Sequence, residues 1–334
     1  SNATVEDAFE AVETKVTQAN MPLRYWEWTF LVGIEVFSQS ALDIVILEAG
    51  IGGTYDCVNV IDADMCILTS VGLDHQAILG PTLLDIATQK MGLFRPGKTA
   101  IIGQVPDLHW VKNSSCAKQT RLICLGEDFQ VEHRDGQNYY VCADDRCLLS
   151  NQSMLPSNQA LVICAYKALE ACSDTLLCKK PLTEISSLEN VLKEVVCRGR
   201  LEYWPSKRIL FDVAHNVDAC GVLADYIRAH LKGGRITGVF AASEHKDIRA
   251  MLEAMSSVLD RLLIAPLPYA STVQTASIQS LAEDLGYCVE TCQNLVEAYK
   301  MGLRHQQHGD YIVIFGSFVS VGELMHYCEG QQND

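Results

Sequence analysis

Two short runs of consecutive apolar residues, 44–47 (Ile-Val-Ile-Leu) and 65–68 (Met-Cys-Ile-Leu), most constrain what this chain can fold into. Apolar at every position rather than every second one, such runs suit strands buried on both faces, the habit of parallel sheets covered by helices. The first run ends on Glu48 and the turn-forming Ala49-Gly50-Ile51-Gly52-Gly53. The second continues through Thr69-Ser70 and leads to Asp74-His75. Both polar groups are therefore expected at the carboxyl edge of a sheet, where open α/β sheets bind ligands. Helical spacing of Leu83, Leu84, Ile86, Ala87, Met91 and Leu93 over 81–94 brings Gln89-Lys90 near a helix end. Glu48, His75 and Lys90 can thus converge on one small site. Each also has a plainer role open to it, as a helix cap, a loop histidine and a solvated helix lysine.

At 334 residues the chain is long enough for two domains with a core each. It has no apolar run of transmembrane length and no signal-peptide pattern. Ser1-Asn2-Ala3 reads as an expression scar followed by Thr4 rather than Met, so the natural start is expected elsewhere. A net charge of −15 argues against a nucleic-acid surface and an anionic membrane, though not against anionic substrates held through metal ions. Fourteen cysteines include no Cys-x-x-Cys pair, and the near approaches, Cys142 with Cys147 and Cys288 with Cys292, lack a second half with zinc spacing. Reduced, structural thiols in a cytoplasmic protein are expected.

In chain order, Thr4 to Asp7 resembles a capping box opening a polar helix of about three turns. A more apolar helix follows over 22–38, its Tyr25, Trp26 and Trp28 expected in the core. After the 43–94 stretch come a strand at 99–103, a helix over 105–118, a strand at 121–126 and antiparallel hairpins over 129–149. Helices are expected over 156–172 and 181–195. The buried run Ile209-Leu210-Phe211 ends in the polar cluster Asp212-Val213-Ala214-His215-Asn216, with Asn216 suited to capping a helix. Strands at 236–242, 261–265 and 311–317 then alternate with helices over 247–259, 277–285 and 296–305, which means a parallel, doubly wound domain. His305 and His308 read as solvated.

One literal phosphate-loop pattern, Gly92 to Thr99, occurs in the wrong setting. The mechanism needs a strand before the loop and a helix after it, so that backbone N–H groups converge on phosphate. Here a helix precedes and a strand follows, so no working phosphate loop is expected.

The blocks 48–59 (Glu-Ala-Gly-Ile-Gly-Gly-Thr-Tyr-Asp-Cys-Val-Asn), 69–75 (Thr-Ser-Val-Gly-Leu-Asp-His), 79–81 (Leu-Gly-Pro) and 89–97 (Gln-Lys-Met-Gly-Leu-Phe-Arg-Pro-Gly) closely resemble, in order and spacing, consecutive blocks of the folylpolyglutamate synthase/dihydrofolate synthase family of Mur-ligase-like amide ligases. Arg198-Gly199-Arg200, Asp212 to Asn216, Leu155 to Asn158, His245-Lys246-Asp247 and Gly316-Ser317 resemble further blocks of that family. The resemblance spans 4–328, about three quarters of a full-length relative, and lacks the upstream phosphate loop that relatives carry. It implies an α/β protein in two parts. A truncated Mur-ligase-type central ATPase domain at 4–194, mostly parallel sheet with small antiparallel hairpins, binds ATP, Mg2+ and folate; a doubly wound, Rossmann-like glutamate-ligase domain follows at 195–330.

The chemistry implied is transfer of the γ-phosphate of ATP to a pterin-substrate carboxylate, giving an acyl phosphate that the glutamate amine attacks. By resemblance Glu48 and His75 hold Mg2+, joined by Lys90 as a carbamate formed with CO2. Asn158, Arg200, Asp212 and His215 meet the nucleotide, with His215 at the phosphate or the amino acid, and Ser317 approaches the glutamate. Lys90, His75 and His215 are the catalytic candidates. Substrates are ATP, L-glutamate and dihydropteroate or a folate, meeting in a cleft that domain closure assembles. A monomer is implied, with no nucleic-acid or membrane partner. Thr54, Arg198 and His245 stand where relatives have Arg, Pro and Asp. Without the phosphate loop, little or no turnover is expected from this polypeptide alone. The alternative is a non-catalytic remnant that binds a folate or a partner. A dinucleotide oxidoreductase, suggested by Gly50-Ile51-Gly52, lacks the third glycine.

Overall fold

The computed structural model describes residues 2–114, 119–143, 145–150, 153–171, 185–269 and 273–331. The chain divides into two compact units, one of residues 1–148 and 160–188, the other of 149–159 and 189–334.

The first unit opens with α1 (Asn2–Ala19) and α2 (Tyr25–Ser38), joined by a stacked Phe9–Trp28 pair at 5.3 Å and a Lys15–Glu35 ion pair at 3.1 Å. Because α1 already runs through Asn2, Thr4 lies inside the helix rather than at its start. The expectation that the α2 aromatics sit in the core is also corrected: α2 buries no residue, and Tyr25 is 83% exposed. Among the described elements its main neighbours are α1 and the 3-10 turn Cys57–Val60, too few to cover a helix apolar on most of its circumference.

A second correction concerns 44–47. These residues form no strand, and Ile46 is 87% exposed. A fully apolar strand is stable only between ladder neighbours and beneath covering helices, and no described residue pairs with this run. The sheet that does form is parallel, in the order β1 (Met65–Ser70), β2 (Thr99–Gln104), β3 (Arg121–Cys124), leaving β1 at its edge. Between β1 and β2 lie α3 (Gln76–Leu79) and α4 (Leu83–Met91). The latter is opened by a Thr82/Asp85 capping box. With α4 before 92–98 and β2 after, the phosphate-loop pattern sits in the reversed setting expected of it. Leu68, Met91, Phe94, Ala100, Ile102, Val111 and Cys124 form this core. After α5 (Leu108–Asn113), the hairpins appear as β4 (Gln130–Arg134), β5 (Gln137–Cys142) and β6 (Asp145–Leu149). The first turns at Asp135-Gly136, both at positive φ as two-residue hairpins require. The helices α6 (Pro156–Ala171) and α7 (Ile185–Glu194) follow. The expected helix ends at 115–118, 172 and 181–184 lie outside the described residues.

The second unit is a six-stranded sheet ordered β11-β10-β9-β12-β8-β7. Its strands are β7 (Glu202–Trp204), β8 (Ile209–Phe211), β9 (Ile236–Phe240), β10 (Arg261–Ile264), β11 (Cys288–Thr291) and β12 (Tyr311–Phe315), parallel except for β7. Successive residues of one strand enter opposite cores, as the period of two dictates. Leu210, Val313 and Phe315 pack with α8 (Val217–His230), α9 (Ile248–Met255) and α10 (Thr275–Asp284). Phe211, Ile312 and Ile314 pack with α11 (Leu295–His305) and α12 (Phe318–Gly330). Helices on both faces make the unit doubly wound, as the alternation of strands and helices implies. The reading of the sequence had no counterpart for β7, β11 or α12.

All the described cysteines are free thiols. Burial pushes Cys66 up to about 11 and Cys164 and Cys220 up to about 12, so these thiols stay protonated and inert. Among the described residues no helix is long and apolar enough to cross a membrane.

Candidate active site

Each unit holds part of the residue set that the sequence singles out. In the first unit, the loop after Glu48 is folded round Asp56, whose Oδ2 accepts the N–H groups of Gly50 (2.8 Å) and Ile51 (3.2 Å). The loop is then fastened to the end of α4 that carries Lys90. Thr54 donates to the Gln89 carbonyl from both its N–H (2.8 Å) and its hydroxyl (3.0 Å). At Gly53 a Cβ would stand 2.7 Å from the Gln89 carbonyl and 2.8 Å from that of Lys90, so only glycine permits this approach. Thr54 therefore has a structural task here.

His75 occupies the left-handed region at φ 54, where non-glycine residues are uncommon. Asp74 holds it there: its Oδ1 accepts the His75 N–H at 2.8 Å, and its Oδ2 lies 3.9 Å from Nε2. Glu48 and His75 are exposed and Lys90 is half-buried. Among the described residues no three His, Cys, Asp or Glu side chains gather as a metal-binding group. A carboxylate and an imidazole presented to solvent fit a divalent ion only as partial ligands. Mg2+, which demands six ligands and keeps several waters, would draw the remainder from outside that pair.

In the second unit the residues come together. Leaving β8, β9 and β10 the chain moves one way across the sheet, and β12 then returns between β9 and β8. That reversal makes a topological switch point, where the loops after neighbouring strands diverge and open a crevice at their carboxyl ends. Asp212 and His215 follow β8, and Ser317 follows β12. Gly316 sits at φ +105, and a Cβ there would come within 2.5 Å of the Ala241 carbonyl and 2.7 Å of the Phe240 ring. Glycine is thus what allows β12 to end so close to β9.

Asp212 is buried, and its two oxygens accept from separate backbone groups, Oδ2 from Leu201 N–H and Oδ1 from Ala214 N–H, both at 2.8 Å. Burial raises its pKa, while those two N–H groups and the Arg200 guanidinium pull it back. The turn bearing Arg200 is closed by Glu202, which accepts Gly199 N–H at 2.8 Å. Arg198 pairs with Glu202 and with Glu329 of α12. His215 donates from Nδ1 to the Val213 carbonyl at 3.0 Å, which fixes the neutral tautomer and leaves Nε2 as the ring's acceptor. Ser317, 9% exposed, caps α12 by accepting Val319 N–H. Asn158 lies half-buried in the first turn of α6, and His245 is largely exposed beside Glu244.

One residue at this crevice escapes the sequence reading. Phe318 lies 5.3 Å from His215 between ring centroids and 5.2 Å beneath the Arg200 guanidinium. Its signal was only its place directly after Gly316-Ser317.

Residues 199–318, a span that holds the whole switch-point cluster, match the family model "Mur ligase, glutamate ligase domain". The chain is 28% identical over 326 residues to the dihydrofolate synthase/folylpolyglutamate synthase of Escherichia coli K12, covering 96% of this chain and 73% of that protein. Its fold is similar to that of E. coli FolC in complex with DHPP and ADP, with TM-score 0.87, 27% identity, and 99% and 77% of the two chains covered. It is also similar to the bifunctional folylpolyglutamate synthase/dihydrofolate synthase of Yersinia pestis complexed with AMPPNP and Mn, with TM-score 0.84, 25% identity, and 98% and 76% covered.

Proposed function

We propose that this chain, a homologue of the dihydrofolate synthase/folylpolyglutamate synthases and bearer of the Mur ligases' glutamate ligase domain, serves ATP-dependent ligation of L-glutamate to dihydropteroate or to a (poly)glutamylated folate. The observation that carries the reading is the gathering of Arg200, Asp212, His215 and Ser317 at one switch point inside the matched domain. Relatives with ADP, or with AMPPNP and Mn, support ATP and a divalent ion as co-substrate and cofactor.

The reaction forms an acyl phosphate on the pterin-substrate carboxylate, and the glutamate amine displaces phosphate from it. Charge developing on the transferring phosphoryl group needs fixed cations and donors. A divalent ion would supply positive charge there, with Glu48, His75 and a carbamylated Lys90 as its protein ligands. Arg200 contributes a permanent cation. Asp212 keeps acceptor capacity beyond its two backbone bonds, enough for a ribose hydroxyl. His215, its tautomer set by Val213, accepts at Nε2 when neutral and donates there when protonated. Ser317 sits where the glutamate would approach.

Among the described residues the one literal phosphate-loop pattern lies between α4 and β2, not between a strand and a following helix. On this reading little or no turnover is expected from this polypeptide alone. A binding remnant is the second reading, favoured by 44–47 behind Glu48 forming no strand with any described residue. Calorimetry with ADP and Mg2+, followed by glutamate- and dihydropteroate-dependent phosphate release, tests both. Binding without release fits the remnant or an incomplete ligase, brisk release overturns the inactivity, and neither binding nor release overturns the ligase reading. Mass spectrometry at Lys90 in bicarbonate buffer checks the carbamate.

A further inference from the structure

We propose that Phe318 is a positioning residue, whose ring binds Arg200 and His215 into one anion-facing unit at the switch point. The inference rests on the nucleotide-site reading of those two residues and adds a residue that the reading does not contain.

Phe318 is 57% exposed and belongs to neither apolar core of its unit, so packing does not account for a phenyl ring here. An exposed first-turn helix position right after a capping Ser would be served at least as well by a polar residue. What the ring does touch is specific. The Arg200 guanidinium stands 5.2 Å from its centroid, within the range at which a cation is held by a ring face. The His215 imidazole is tilted 48° against it at 5.3 Å, an ordinary aromatic pair geometry.

The two partners arrive from different loops, Arg200 from the turn before β7 and His215 from the loop after β8. Arg200 is itself exposed, on a side chain with large rotamer freedom. An exposed arginine that samples many rotamers loses that freedom when it meets an anion; one already resting on a ring loses less. Seated at the start of α12, the ring lets the two loops present one cation and one titratable donor together.

The test uses the full chain and the variants Phe318→Ala, Phe318→Tyr, Arg200→Ala and Phe318→Ala/Arg200→Ala. The first readout needs no ligand: the heteronuclear NOE of the Arg200 Nε–Hε pair. It is expected near backbone values in the parent and Phe318→Tyr, and to fall to the level of a solvated arginine in Phe318→Ala. The second is ADP·Mg2+ affinity by calorimetry. Phe318→Ala is expected to weaken it about five- to thirtyfold, the scale of the lost ring contacts. Phe318→Tyr should restore it to within about twofold, and Phe318→Ala should cost nearly nothing in the Arg200→Ala background. An unchanged NOE in Phe318→Ala, or an affinity loss undiminished when Arg200 is already gone, overturns the proposal. If the parent binds no ADP, the nucleotide reading fails, and the NOE alone decides whether Phe318 orders Arg200.

Discussion

Asp212 accepts the N–H of Leu201 at 2.8 Å across a separation of 11 residues, tying the turn that carries Arg200 to the end of β8. Its other oxygen holds the loop that leads to His215. One buried carboxylate thus sets the spacing of two site loops before any ligand arrives. Asp212→Asn should lose one of these bonds and set an NH2 group against a backbone donor, at a cost of about 1–3 kcal/mol in urea unfolding. ADP affinity should fall in Asp212→Asn even where the protein is fully folded. Unchanged stability would mean the backbone bonds contribute nothing net.

Gly316→Ala puts a Cβ where the Ala241 carbonyl and the Phe240 ring already are, and forces alanine to φ +105. The expected cost is about 2–4 kcal/mol. Hydrogen exchange read by mass spectrometry should show faster exchange over 311–317, with the first unit unaffected. Protection equal to the parent's would refute the close approach.

Asp310 gives the pH dependence a sign. Its carboxylate accepts from Gln307 and Arg235 N–H groups, both at 2.9 Å, which hold its pKa below the usual carboxylate range. A depressed folded-state pKa means stability that is present above the unfolded value near 4 and lost as pH falls through the folded value. Melting temperatures from pH 5 to pH 2 should fall less steeply in Asp310→Asn than in the parent. Asp212 acts in the opposite sense, since its pKa is raised: stability declines as pH rises from the unfolded value through the folded one.

The first unit exposes several large apolar side chains over 42–67. Leu42, Ile44, Val45, Ile46, Val60 and Ile67 are all exposed, and Ile67 lies on edge strand β1. Ile46→Lys/Ile67→Lys should lower both dye binding (ANS) and self-association in sedimentation velocity, at little cost in folding because neither side chain is buried. Equal dye binding by parent and variant would contradict the exposure.

How far the sequence could be read follows from what each signal depends on. The doubly wound unit was legible because 236–240, 261–264 and 311–315 are mostly apolar and separated by amphipathic helices, both local signals. The run 44–47 carries the same signal and forms no strand, because such a strand needs ladder neighbours that composition within the run cannot report. The α2 aromatics failed for a related reason: a helical pattern shows which residues are apolar, not whether anything lies against them. In the site, Asp212 and His215 stood out in a polar cluster ending an apolar run, and Ser317 only through the resemblance of Gly316-Ser317 to a family block. Phe318 had no such contrast, and its meaning lies in two partners distant in the chain.

The central place of β12 has a consequence for how the second unit is made. Its pairing with β8 joins segments about a hundred residues apart, as Arg208 and Asp310 at a separation of 102 illustrate. During synthesis β7 to β11 emerge first, yet β8 and β9 cannot be bridged until the strand between them leaves the ribosome. The nascent unit is then two unjoined sheet fragments with open edges, which is the long-range order that folds slowly and invites mispairing. The residues that complete the crevice, Gly316, Ser317 and Phe318, come with that last strand, so a ligand for the finished site would act only after synthesis has passed them and could not guide the earlier steps.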